Sequence, residues 1–176
     1  IGSVGRVFDS HKRFSDIIHA LLVIRANQPK TRLLIVGDGP DRAMLQDLAD
    51  ELGLTDAVIF AGYQGKPRDF YHLMHVFVLA SAHEAFGLVL VEAMLAELPV
   101  VGTAVGGIPF VLDQGKAGIL VPPLQPPVIA NAVLRLLVDQ EAARAYRSAG
   151  LERALSAFSA ERYVNEVAEL YFEMLR

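Results

Sequence analysis

The amino-acid sequence predicts an α/β chain: a doubly wound parallel sheet of about six strands with helices on both faces. Three observations lead there. Short apolar runs rich in β-branched or aromatic residues alternate with longer segments whose apolar residues recur every three or four positions. Gly or Pro follows most of the short runs. Hydrophobic residues make up 53% of the 176 residues, and mean hydropathy is +0.37. A hydropathy that high fits strands buried on both faces, as a parallel sheet requires.

Taken in order, Ile1–Val7 is the first strand and Phe8–Arg13 a loop. Phe14–Asn27 is a helix carrying Ile17, Ile18, Leu21, Leu22 and Ile24 on its apolar stripe. Strand Arg32–Gly37 follows, then helix Asp41–Leu52, capped by Asp41 or its neighbour and closed by Gly53. Strands Ala57–Phe60 and Val76–Ala80 come next, then helix Phe86–Glu97 and strand Pro99–Thr103. Gly106 and Gly107 precede a short helix, Gly118–Val121 is the last strand, and Pro127–Leu137 is a helix. A charged region of helical period, Asp139–Arg176, ends the chain. No internal repeat and no linker divides it, so residues 1–176 read as one domain.

Composition narrows the function. A net charge of −4 and a pI near 5.7 argue against a nucleic-acid or anionic-membrane surface. There is no cysteine, which excludes disulfides and thiolate metal sites. The longest uncharged run, Ala117–Leu134, holds Pro122, Pro123, Pro126 and Pro127 and cannot be one membrane helix. A cytoplasmic location is the default expectation. A first strand that starts at Ile1 reads as part of something longer.

In doubly wound sheets ligands bind beyond the carboxyl ends of the strands. The segments to search are therefore Phe8–Arg13, Asp38–Pro40, Ala61–Pro67, Ser81–Phe86 and Ala104–Pro109. The stretch SAHEAFGLVLVEAM (81–94) sets Glu84 and Glu92 eight residues apart around a helix start. The first N–H groups of that helix favour an anion, Gly87 permits close approach, and two carboxylates can accept from two hydroxyl-bearing parts of one ligand. The alternative is a dipole-complementing Glu84 and a solvated Glu92, but Val89, Leu90, Val91, Ala93, Met94 and Leu95 crowd Glu92 and make plain solvation an odd choice. If the helix begins at Phe86, Glu92 lies ~9 Å along it.

Arg6 and Lys12, at the end of the first strand and before the first helix, suit a diphosphate; a pair of solvated cations explains them equally well. Arg13 and His11 fit the surface. IVGDGPDR (35–42) is a structural turn rather than a dinucleotide fingerprint, because Arg42 stands where the third glycine is needed. The Gly106–Gly107 pair is weak evidence alone. Ser81 lacks a nucleophile elbow. His72 and His75 have no third ligand at metal spacing, and His83-Glu84 opens no H-E-x-x-H motif; only His83 neighbours the candidate site.

Together, the stretches GRV…HKRF, IVGDGPDR, VIFAGY, LASAHEAFGLVLVEAM, LPVVGTAVGGIPF and GILVPP resemble, in order, the C-terminal domain of retaining glycosyltransferases of the GT-B fold, family four. The resemblance covers nearly the whole chain and implies a Rossmann-like domain, one half of a GT-B fold, that binds a UDP-, GDP- or ADP-linked sugar. By position it implies that Arg6 and Lys12 grip the donor diphosphate. Glu84, the first acid of the E-x7-E pair, meets the sugar hydroxyls, with His83 beside it. Phe86, Gly87 and Leu88 present N–H groups, Glu92 holds the ribose, and Gly62 and Tyr63 border the base. Glu84, Arg6 and Lys12 are the residues implied to act in catalysis. No metal and no cofactor is expected, since cations and helix termini take their place.

The resemblance also implies an N-terminal acceptor domain of the same chain, peripheral membrane association only through that domain, and little or no transfer by this domain alone. The last helix, around Ala160–Arg176, would cross toward that domain. The departures are Ala80 for proline, Arg13 for the glycine after the lysine, Glu97 for the glycine before the P-V strand, and Phe110 for the glutamate of G-G-x-P-E. Two rivals stand beside this reading: an epimerase or phosphorylase of the same architecture, and a non-catalytic doubly wound interaction domain.

Overall fold

The computed structural model describes residues 1–175. All six expected strands are present: β1 (Gly2–Val4), β2 (Leu33–Val36), β3 (Val58–Gly62), β4 (Phe77–Leu79), β5 (Val100–Thr103) and β6 (Ile119–Val121). They form one parallel sheet in the order β3-β2-β1-β4-β5-β6. The order runs outward from β1 to one edge and then from β4 to the other. The point of reversal lies between β1 and β4.

Alternate strand residues feed two apolar layers, as the period of a strand demands. Leu33, Ile35, Val78 and Val101 enter one layer, where α2 (Phe14–Asn27), α3 (Arg42–Glu51) and α7 (Pro126–Val138) pack. Val36, Phe77, Leu79 and Val100 enter the other, with α4 (Arg68–Tyr71), α5 (Leu88–Leu95), α6 (Ile108–Val111) and α8 (Gln140–Ala157). Each fully buried Leu, Ile, Val or Phe stabilises by roughly 1.5–3 kcal/mol before entropy is set against it. A doubly wound α/β sheet is thus what the sequence encodes. Gly53 follows α3 at φ +67°, the left-handed conformation expected of a helix-ending glycine.

Three local readings need correction. The first strand ends at Val4, not Val7, because the chain turns onto the β2–α3 connection: Gly5 N–H donates to Val36 O (3.0 Å) and Val7 N–H to Asp38 O (3.0 Å). Within Phe8–Arg13, residues 9–12 form a helical turn, α1 (Asp9–Lys12). Helix α5 starts at Leu88 rather than Phe86, since Gly87 precedes it at φ +94°. The charged C-terminal region forms two helices, α8 and α9 (Ala160–Met174), divided at Phe158 and Ser159, and the last helix starts at Ala160 as expected; Arg176 lies outside the described residues.

Asp139 caps α8 by accepting from Glu141 and Ala142 N–H, and Ser159 caps α9 by accepting from Arg162 N–H. Helix α9 has no buried residue. Tyr163, Val164, Leu170, Tyr171, Phe172 and Met174 are all exposed on it. No described helix is long and apolar enough to cross a membrane.

Candidate functional site

The site is built where the sheet reverses direction. Helix α1 sits between the carboxyl ends of β1 and β4 and ties the two loops together. Its last residue, Lys12, extends Nζ to 2.5 Å from Glu84 Oε2, and both side chains are largely shielded from water. The His11 carbonyl accepts from Ala82 N–H (2.8 Å) and His83 N–H (3.3 Å), so the same turn also holds the backbone that leads into Glu84. An ammonium has three donors. One is given to Glu84, and two remain for an anion.

The Glu84 loop is fixed from behind. Ser81 is buried and donates from Oγ to Glu84 Oε2 at 3.3 Å; Thr103, at the end of β5, donates to the Ser81 carbonyl at 2.6 Å. Gly106 lies against the loop so closely that a Cβ there would fall 1.7 Å from the Glu84 carbonyl oxygen. The glycine pair that is weak evidence in sequence is therefore part of the support for Glu84. Gly87, left-handed, lets the chain turn straight into α5. Among the described residues the N–H groups of Gly87, Leu88 and Val89 donate to no protein acceptor, and the helix dipole there favours negative charge.

Glu92 is held differently. It stands four residues past the start of α5, about one turn along. It is exposed rather than enclosed, while Val91, Ala93 and Met94 of the same helix are buried. The phenol of Tyr71, itself fully buried, donates to Glu92 Oε2 at 2.7 Å. Burial, then the Glu92 hydrogen bond and charge, push the Tyr71 hydroxyl above its ordinary value of 10.0, so it stays a donor. Glu92 and Tyr71 border an open cleft of about 1030 Å³, whose other side runs from Gly65 in the β3–α4 connection to Asp69 in the first turn of α4, with His72, Leu95 and Ala96.

The remaining expected residues scatter around this core. Arg6 is exposed, with Cζ 6.0 Å from the Phe8 ring centroid and no carboxylate partner among the described residues. The His11 ring stacks on Phe8 (4.7 Å) and meets His83 at 5.4 Å. Phe86 turns its ring into a cluster with Phe158 and Phe110, at 5.6 and 6.5 Å, leaving its backbone at the site. Gly62 ends β3 and bridges to Gly37, and Tyr63 beyond it is 80% exposed. Gly62 and Tyr63 lie three and two residues before Gly65, where the chain leaves β3 toward the cleft.

Two departures from the family pattern find their explanation. Arg13 adopts φ +51°, the left-handed conformation a glycine would take, and its guanidinium is tied to Asp16 through Nε (3.1 Å) and Nη2 (2.8 Å). It supplies no further free cation. Phe110 stacks with Arg153, whose Cζ is 5.2 Å from both the Phe110 and Phe158 rings. Sequence reasoning missed Tyr71 and Thr103, which support the acids; Thr103 ends a predicted strand and Tyr71 lies where no element is predicted, and nothing in the sequence pairs them with partners 21 and 22 residues away. Among the described residues no group of three His, Asp or Glu could hold a metal ion.

A reversal crevice lined by two carboxylates, a cation and unpartnered helix N–H groups, on a sheet of this order, defines a doubly wound α/β binding domain of the GT-B glycosyltransferase kind. The family model for glycosyl transferases group 1 matches residues 1–153, and the chain belongs to that family. It is 33% identical over 169 residues to N-acetyl-alpha-D-glucosaminyl L-malate synthase of Bacillus anthracis, covering 96% of this chain and 44% of that protein. Among solved structures, Anabaena HepE in complex with UDP superposes with a TM-score of 0.89 at 26% identity over 98% of this chain and 48% of that one. Sucrose-phosphate synthase from Thermosynechococcus elongatus gives 0.80 at 32% identity, over 99% and 45%. The chain thus spans a little under half the length of each of these three proteins.

Proposed function

We propose that this chain is the donor-binding half of a retaining hexosyltransferase that takes a nucleotide-diphospho-sugar. The observation that carries the reading is the pairing of two supported acids around one helix start: Glu84 with Lys12 on the loop side, Glu92 with Tyr71 on the helix side. The diphosphate lies against Lys12, Arg6 and the N–H groups of Gly87 and Leu88. The sugar hydroxyls donate to Glu84, beside His83. The ribose hydroxyls donate to Glu92, and the base lies toward the cleft after Gly62 and Tyr63. The named activities of the relatives support glycosyl transfer, and the UDP bound by Anabaena HepE supports a nucleotide ligand.

In the transfer step the bond from the anomeric carbon to the diphosphate breaks and negative charge grows on the leaving oxygens. Lys12, Arg6 and the unpartnered N–H groups are fixed before that charge develops, the arrangement that stabilises a transition state most effectively. No metal or cofactor is needed in this scheme. An N-terminal acceptor domain of the same protein supplies the second substrate, and the apolar face of α9 packs toward it. Without it, donor binds and transfer is slight or absent; any membrane association comes through that domain.

The test is a thermal-shift series with UDP, GDP and ADP and their common sugar conjugates, beside Glu92→Ala. A nucleotide present at a hundred times its dissociation constant stabilises by about 2.7 kcal/mol, a shift of ~5–10 °C at this size. A shift with one base, lost in Glu92→Ala, is the expected result and names the base. No shift with any nucleotide, from folded protein, overturns donor binding by this chain and favours an interaction domain.

A further inference from the structure

We propose that Asp41 is a positioning residue that sets Lys12 through the α1 turn. The inference rests on the reading of Lys12 as a phosphate-holding group. Asp41 occupies the N-cap position of α3 yet makes no capping hydrogen bond to its own helix. A cap of this kind ordinarily stabilises its helix, and here it is forgone. The carboxylate reaches back to accept the N–H of Asp9, the first residue of α1, at 2.7 Å.

Helix α1 is a single turn of four residues and cannot hold its own direction, because helix nucleation is unfavourable. Its orientation comes from its anchors. Asp9 is buried, and its carboxylate accepts from Ser15 N–H (2.8 Å) and Ser15 Oγ (2.6 Å), which seats the turn on α2. Asp41 seats it on α3 at the other side. Val7, just before the turn, is bound at both polar groups to the same connection: its N–H donates to Asp38 O and its carbonyl accepts from Asp41 N–H. From this seat the far end projects Lys12 to Glu84 and the His11 carbonyl to Ala82 and His83. The G-D-G-P-D stretch, which in sequence is only a turn, thereby orients the cation of a different loop.

The test is a double-mutant cycle read by nucleoside diphosphate affinity, using UDP, GDP and ADP in turn, at a temperature where every variant is folded by circular dichroism. Asp41→Ala is expected to weaken the diphosphate about tenfold. Asp41→Asn keeps a carbonyl acceptor and stays within about twofold of wild type. Asp41→Ser restores a cap to α3 but is too short to reach Asp9, so it follows the alanine variant and stands in for it should alanine not fold. In a Lys12→Ala background Asp41→Ala adds nothing, since its effect passes through Lys12. An equal loss in that background would mean a general structural effect and overturn the proposal.

A ligand-free arm decides the matter even if no nucleotide binds, an outcome that would count against the proposed function rather than against Asp41. Amide hydrogen exchange at Ala82 and His83 is expected to quicken in Asp41→Ala while β2 and β5 amides keep their rates. Unchanged exchange at those two amides would overturn the proposal.

Discussion

The two acids of the candidate site are placed by different physics. Glu92 stands on a regular helix whose inner face is buried, and its one hydrogen-bond donor is a phenol rooted in the core. Glu84 stands on a loop without secondary structure, between Lys12, Ser81 and a glycine, and is located by a web of polar contacts among loops. The first is set by packing, which is dense and resists local change. The second is set by hydrogen bonds that each contribute about 1 kcal/mol and act as a group. One end should therefore fail with the fold, and the other without it.

The largest effect comes from breaking the packed end. Tyr71→Ala removes a fully buried ring from between α5 and β4 and is expected to destabilise by about 3–5 kcal/mol, read by denaturant unfolding. Next comes Gly106→Ala, which forces the Glu84 loop away from a 1.7 Å clash and places alanine at φ +51°. A loss of roughly 1–3 kcal/mol is expected, with diphosphate affinity falling while the Tyr71–Glu92 pair stays intact.

Tyr71→Phe is gentler, about 1 kcal/mol for the lost hydrogen bond, and it sharpens the comparison through pH. The folded state holds the Tyr71 phenol protonated above its ordinary value of 10.0. The stabilisation is whole below about pH 10, where both states keep the proton. Above that the unfolded chain ionises first, and stability falls by about 1.4 kcal/mol per pH unit. The phenylalanine variant is expected to lose that one-proton slope in alkaline unfolding curves; an unchanged slope would mean the phenol is not held neutral. The smallest effect is Arg13→Gly. Relief of the left-handed residue and loss of the Asp16 bonds are each worth about 1 kcal/mol and oppose one another. A net change within about 0.5 kcal/mol is expected by chemical denaturation.

The same contrast governs what could be read from the sequence. Periodicity located the packed parts: α2 spans Phe14–Asn27 as its Ile and Leu spacing predicts, and each of the six strands falls on its apolar run. The reversal crevice followed from that alternation, and the acids and Lys12 followed from their places on its loops and from the family pattern. Two short helices without a periodic signal were missed. The α1 turn is too short to show a helical repeat, and α4 is no longer. The start of α5 was set two residues early because the left-handed Gly87 sits inside an otherwise helical apolar run. The partners of the acids were invisible because Tyr71–Glu92 and Lys12–Glu84 are contacts across 21 and 72 residues, made by the fold and not by local pattern.

The cleft beside Glu92 carries an evolutionary consequence. Its far wall is the β3–α4 connection and the first turn of α4, where Gly65, Lys66, Arg68 and Asp69 are exposed and none shares a side-chain hydrogen bond with another. Exposed changes of that kind usually alter stability by less than about 0.5 kcal/mol. The wall can drift one residue at a time. Around Glu84, where Lys12, Ser81, Thr103 and Gly106 interlock, a single substitution strands its neighbours. A lineage built on this scaffold is free to change what lies against the loop wall while the acid and cation opposite stay where they are.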